Sequence, residues 1–160
     1  MIIMSLDVLS VPSPVSDDVG ARQPTSEGRK LWNTLFPAYS GRMMVFAHGV
    51  ENQEGCLNWL KREGFKASTV DFIPVSTVEA KVERIQNLHA VYGKINWYID
   101  VDPKVVARVA HNGTPTLLVT VPHTVRPEWS ESRFKKEWGD IVEETDKQAL
   151  ARAERNWGDV

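Results

Sequence analysis

The chain has 160 residues, 42% of them apolar, which is enough to bury one sizeable core and sets the expectation of a single domain. A formal charge of -2, with Lys and Arg scattered along the chain, offers no basic stripe for a phosphate backbone, so nucleic acid is not an expected partner. The single Cys56 excludes an internal disulfide, no zinc-ligand spacing occurs, and the apolar start from Met1 to Leu6 is too short for a signal or membrane segment. A soluble, cytoplasmic protein without a membrane partner is the expectation.

Residues 2 to 9, IIMSLDVL, form an apolar run that reads as a strand, and SVPSPVSDDVGARQP after it has the Pro, Ser, Gly and Asp content of a long loop. Thr25 or Ser26 can cap a helix carrying Leu31, Trp32 and Leu35 and ending before Pro37. RMMVFAHG is a second strand ending at Gly49. Residues 52 to 63 read as a helix with Leu57 and Leu60 three apart and Gly64 as its stop, and FKASTVDFI is a third strand. STVE at 76 to 79 is a capping box, with Ser76 as the cap and Glu79 reaching back, for a helix whose face is Val82, Ile85 and Leu88 and whose end is Gly93.

INWYID is the fourth strand. Asp102 can cap the next helix with Pro103 at its first position, Val105, Val106 and Val109 supply its buried face, and HNG stops it. TPTLLVTVP is the fifth strand. Strands without polar alternation, separated by helices, are the pattern of a parallel sheet covered on both faces. The expected fold is therefore α/β: a doubly wound parallel sheet of about five strands in three layers, occupying residues 1 to 127. Residues 128 to 160, fifteen of them charged, form a helical tail and not a second domain, with Phe134, Trp138, Ile141 and Val142 as one apolar stripe.

In such sheets ligands bind beyond the carboxyl ends of the strands. Asp7, His48, Asp100 and Asp102 all fall at or just past such ends. Asp102 can also be a plain helix cap and Asp100 a turn residue, whereas Asp7 lies between apolar neighbours, where a carboxylate is costly to bury unless something pairs with it. His123 and Arg126, after the fifth strand, lie at the same edge, where Arg126 can pair an anion or simply be exposed. Cys56, in a helical pattern without a neighbouring base, reads as core. Neither a Walker-type glycine loop nor a G-x-G-x-x-G after the first strand is present, which drops nucleotide binding by those routes.

An aspartate closing the first strand, a long loop where a cap or flap would branch off, a lysine in the helix before the fourth strand and aspartates ending that strand together resemble the haloacid dehalogenase (HAD) superfamily. The likeness is to its small capless members over residues 2 to 121, with a weaker one to short stand-alone proteins of actinobacterial phages. The resemblance implies Asp7 as the nucleophile that takes up a phosphoryl group and Lys81 as the lysine that offsets its charge. It implies Mg²⁺ as cofactor, held by Asp7, the Leu9 backbone carbonyl, Asp100 and Asp102, and a phosphoryl contact at Ala47 and His48.

Two positions depart from the family. Its phosphatases carry an acid two residues after the nucleophile, where this chain has Leu9; general acid–base help is worth on the order of 10² to 10⁴ in rate. The family's dehalogenases and phosphonate-cleaving members resemble this chain in lacking that acid. Ala47 stands where the family places a hydroxyl, leaving the contact to His48 and the HGV amides. The reading that follows is a HAD-like domain with a partly degenerate site, binding metal or phosphate with weak or no phosphohydrolase activity. Two alternatives stand beside it. One is an active Mg²⁺-dependent hydrolase acting through Asp7 on a phosphorylated small molecule or macromolecule. The other is a phage binding or assembly module that engages a protein partner or a second copy through the tail, with Trp138 or Trp157 as anchor.

Overall fold

The computed structural model describes residues 1–120 and positions 139, 141, 143, 144, 146 and 147 of the tail. Five strands form one sheet: β1 (Ile2–Ser5), β4 (Met43–His48), β5 (Thr69–Ile73), β6 (Trp97–Asp100) and β7 (Thr116–Leu118). Their order is β5-β4-β1-β6-β7, and all four pairings are parallel. The chain walks outward from β1 on one side and then crosses back to β6 on the other. This reversal opens a crevice over the carboxyl ends of the central strands, the usual ligand position in this architecture.

Strand alternation explains the two-sided cover. Ile2 and Met4 of β1 join Met43, Val45 and Ala47 of β4 in one core, whose other wall is Trp32 from α2 (Ser26–Tyr39) and Cys56, Trp59 and Leu60 from α3 (Gln53–Arg62). Ile3, Met44, Phe46 and Tyr98 point the other way, against Ile85 and Leu88 of α4 (Val78–Tyr92) and Val105, Val106 and Val109 of α5 (Pro103–His111). Both faces of β1 are thus dry, which is why it shows no polar alternation. Phe65 clips the first core, edge-on to Trp32 and stacked on Trp59 with centroids 5.6 and 5.7 Å apart. Such pairs add about 0.5–1.5 kcal/mol each beyond area burial.

The three layers and the parallel sheet agree with the sequence reading; several boundaries differ. The first strand stops at Ser5, and residues 6–9 form a one-turn helix, α1 (Leu6–Leu9), which Ser5 caps by accepting from the Asp7 amide. The long loop carries structure of its own: β2 (Ser10–Val11) and β3 (Gln23–Pro24) pair antiparallel, with a 3₁₀ turn at Val19–Ala21 between them. α2 runs through Pro37 to Tyr39. A proline this near a helix end removes only one terminal hydrogen bond, and Leu35, Phe36 and Tyr39 pack on the core from that last turn.

Thr77, and not Ser76, caps α4 by accepting from the Ala80 amide, while Glu79 pairs instead with Arg108 of α5. On α4 the fully buried stripe is Lys81, Ile85 and Leu88, with Val82 at its margin. Leu57 is exposed, because the buried stripe of α3 is Cys56, Trp59 and Leu60. Asp102 caps α5 from just outside it with Pro103 at the first position, as the sequence indicates. Of the tail, Phe134, Trp138, Val142 and Trp157, together with His123 and Arg126, lie outside the described residues. No helix among the described residues is long and apolar enough to cross a membrane.

α1 and α2 meet at Gly28, where a Cβ would lie 2.2 Å from the Val8 carbonyl oxygen and 2.9 Å from the Leu9 Cα. Both neighbours are backbone, so the collision cannot be relieved by a rotamer change. Gly28→Ala is therefore expected to lower the unfolding free energy by about 1–3 kcal/mol or more, whereas Ser26→Ala on the exposed side of the same helix stays within about 0.5 kcal/mol. Urea denaturation of the two variants checks this, and equal midpoints would contradict the close approach.

Candidate functional site

The site begins with the satisfaction of a very short helix. Four residues cannot close their own carbonyls, so neighbours do it. The Ser10 hydroxyl donates to the Leu6 carbonyl (3.0 Å), the Thr25 hydroxyl to the Val8 carbonyl (2.7 Å) and the Thr25 amide to the Leu9 carbonyl (2.9 Å). These bonds hold α1 at the carboxyl end of β1 and turn the Asp7 side chain toward the returning loop.

Arg22 meets it there. Its Nη2 donates to Asp7 Oδ1 at 2.6 Å, its Nε donates to the Ser10 hydroxyl at 2.6 Å, and Nη2 also reaches the Ser10 carbonyl at 3.3 Å. The Arg22 backbone is fixed from behind by the buried Trp59, whose indole N–H donates to its carbonyl at 3.0 Å, and Arg62 donates to the Gly20 carbonyl. The loop that the sequence leaves featureless is thus pinned to α3 at two places. Arg22 Nη1 has no hydrogen-bond partner among the described residues.

His48 closes the other side of the carboxylate. It ends β4, and Gly49 behind it takes a positive φ of 64° that carries the chain sharply away. The imidazole is 9% exposed, with Nε2 2.9 Å from Asp7 Oδ2. Distance alone makes this an ion-pair contact, but the ring is not aligned for a hydrogen bond, and both of its buried nitrogens are without one. Of the two neighbours Arg22 is the firmer partner, since its guanidinium is charged at every ordinary pH and its N–H points along the bond. Burial works to raise the Asp7 carboxyl, and the proximity of His48 and then of Arg22 overcomes it, leaving the group down at about 2. Asp7 is a locked carboxylate.

Asp100 sits one strand over and is fully buried. Its Oδ2 accepts from the Tyr98 hydroxyl at 2.5 Å and its Oδ1 from the amides of Val101 (2.6 Å) and Asp102 (3.3 Å). Burial pushes this carboxyl up, against the Tyr98 hydroxyl and the nearby charge of Lys81. Burial and the Asp100 charge in turn push the Tyr98 hydroxyl well above its ordinary range, so it remains a donor. Lys81 occupies a core position of α4, and its charge acts on Asp100 through space, without a direct ion pair among the described residues.

Asp7, Lys81, Asp100 and Asp102 therefore share the carboxyl end of the sheet, but the atoms expected to hold Mg²⁺ are already engaged. Asp7 is paired with Arg22, the Leu9 carbonyl accepts from Thr25, Asp100 serves Tyr98 and two amides, and Asp102 accepts from the Lys104 amide. Among the described residues no three His, Cys, Asp or Glu side chains gather in a way that could hold a metal ion. This donor set does not fit magnesium. Ala47 and Leu9 are both fully buried in the core between the sheet and α2 and α3, so neither offers a side-chain contact to a ligand. Cys56 is core, and burial pushes its thiol up to about 11.

The residue that reading the sequence missed is Arg22. No spacing announces it, since it lies fifteen positions from Asp7 in an irregular loop. The available signal was energetic: a part-buried Asp7 requires a cation, and Arg22 is the first one after it in the chain.

The depressed Asp7 carboxyl has a definite sign. An unfolded aspartate titrates near 3.9, so the stability from Asp7 is complete above that value and is lost as the pH falls toward 2. The gap between wild type and Asp7→Asn, on the order of 1–2 kcal/mol at pH 6 after allowing for partial exposure, is expected to close between about pH 5 and pH 2. The raised Asp100 carboxyl works in the opposite sense in both proteins and cancels in the comparison. Urea unfolding across that range checks it, and a pH-independent gap would contradict the Arg22 pairing.

Comparison of the chain with protein-family models, with curated proteins and with solved structures gave no match in any of the three.

Proposed function

We propose that this chain is a HAD-like domain whose Asp7 site binds a phosphoryl-bearing ligand and turns it over weakly or not at all. The observation that carries the reading is the Arg22 guanidinium 2.6 Å from the Asp7 carboxylate. A nucleophile must present a free lone pair to phosphorus. Here one oxygen is held by a permanent cation and the other faces His48, so attack requires Arg22 to withdraw. No acid stands at Leu9 to protonate a leaving group, and the described residues do not fit the metal that would otherwise neutralise an incoming phosphate.

The same groups suit binding. Arg22 and His48 both line a polar pocket beside the crevice, and guanidinium is well matched to phosphoryl oxygens. The sheet order, the reversal over β1 and β6, and the antiparallel β2–β3 pair where a flap would branch off support the HAD-like assignment.

The discriminating measurement is hydrolysis of 4-nitrophenyl phosphate, whose leaving group needs no acid, with and without Mg²⁺. Wild type and Asp7→Asn are expected to run at the same background rate under both conditions, while inorganic phosphate shifts the His48 imidazole resonances in NMR. Mg²⁺-dependent turnover that disappears in Asp7→Asn would overturn the binding reading in favour of an active hydrolase.

A further inference from the structure

The cation beside Asp7 belongs to the chain itself. The Arg22 guanidinium donates to three oxygens from one short stretch, residues 7 to 10: Asp7 Oδ1 at 2.6 Å, the Ser10 hydroxyl at 2.6 Å and the Ser10 carbonyl at 3.3 Å. The Ser10 hydroxyl gives its own proton to the Leu6 carbonyl at 3.0 Å, so its lone pairs are what face the guanidinium. Carboxylate and carbonyl oxygens are the ligands of hard divalent cations, and a serine hydroxyl can join them. Here the same oxygen types hold an organic cation.

That cation does not exchange with solvent. The Arg22 side chain is only 15% exposed, it is charged at every ordinary pH, and its backbone carbonyl is held by the Trp59 indole. An ion arriving from solution would have to displace it and would gain one carboxylate by doing so. The neighbouring carboxylates are engaged elsewhere, Asp100 with Tyr98 and the amides of Val101 and Asp102, and Asp102 with the Lys104 amide. Among the described residues no three His, Cys, Asp or Glu side chains gather to hold a metal ion. Mg²⁺ dehydrates reluctantly and demands a near-octahedral set of oxygens, which one carboxylate already neutralised by arginine does not supply.

We infer that Arg22 stands in the place of the divalent cation that the family resemblance implies, so that this edge of the sheet is metal-independent and carries its positive charge on the returning loop. The inference rests on the HAD-like reading of the Asp7 end and adds to it the source of the counter-charge. Removing the guanidinium leaves the Asp7 carboxylate and the two Ser10 oxygens without their cation, and a hard cation from solution can then take its place.

The test uses chelator-treated wild type, Arg22→Ala and Arg22→Lys. Mn²⁺ is followed by paramagnetic broadening of the His48 imidazole resonances, and Mg²⁺ by the thermal unfolding midpoint. Wild type and Arg22→Lys, each with a cation on the loop, are expected to show no site-specific broadening and no midpoint shift in millimolar Mg²⁺. Arg22→Ala is expected to melt lower, to recover part of the loss in Mg²⁺ and to show broadening at His48 that a second substitution, Asp7→Asn, removes. An ion at about 100 times its dissociation constant raises a midpoint by several degrees, so the recovery is readable. Broadening at His48 in wild type that Asp7→Asn abolishes would overturn the inference, and this arm needs no other variant to fold. A folded Arg22→Ala that ignores both ions would overturn it as well. Phosphate titration of wild type with and without Mg²⁺ separates the inference from the reading beneath it. Equal affinity in both buffers supports it, and binding only with Mg²⁺ overturns it while leaving the phosphoryl site standing. Absence of phosphate binding in both buffers overturns the phosphoryl reading, and the Mn²⁺ result then decides the role of Arg22.

Discussion

A carboxylate brought to the edge of a dry sheet must find a cation, and the pairing of Asp7 with Arg22 is how this chain meets that requirement. β1 is buried on both faces, so the first residues beyond it are still close to low-dielectric surroundings, where an unpaired charge is costly. The loop from residue 10 to 24 returns to supply the guanidinium. Its course then fixes much else: Ser10 holds Arg22 and α1 together, Trp59 holds the Arg22 backbone, and Thr25 both closes α1 and starts α2.

That solution shapes what the site can do. In a chemistry that uses a carboxylate as nucleophile, positive charge must arrive with the substrate or be released from the carboxylate at the right moment. Here it is built into the fold and held by three contacts. The carboxylate is stabilised as an anion and correspondingly less disposed to share its electrons. The pairing that stabilises Asp7 as an anion works against its use as a nucleophile.

The second buried carboxylate is handled differently. Asp100 is satisfied by a phenol and two amides, with Lys81 offsetting its charge from the core stripe of α4. The sequence reading took Val82, Ile85 and Leu88 as the face of that helix, and the structure places Lys81 in the buried stripe with Ile85 and Leu88. Asp102, by contrast, does what its place before Pro103 suggests and caps α5. Two aspartates separated by one residue thus have unrelated work, one in the buried network and one at a helix end.

The sequence by itself determined the layers. Continuous apolar strands with helices between them require a parallel sheet covered on both faces, and the capping signals at Thr25 and Asp102 place helix starts to within a residue. It also brought Asp7, His48 and Asp100 to one edge of the sheet, because side chains past parallel strand ends converge whatever the details. Tertiary structure decided the rest. The one-turn helix after β1, the passage of α2 through Pro37 and the cap at Thr77 follow from packing and hydrogen bonds that no local pattern encodes. Arg22 belongs to the same class: loop residues carry no periodicity, and only folding brings position 22 within hydrogen-bonding distance of position 7.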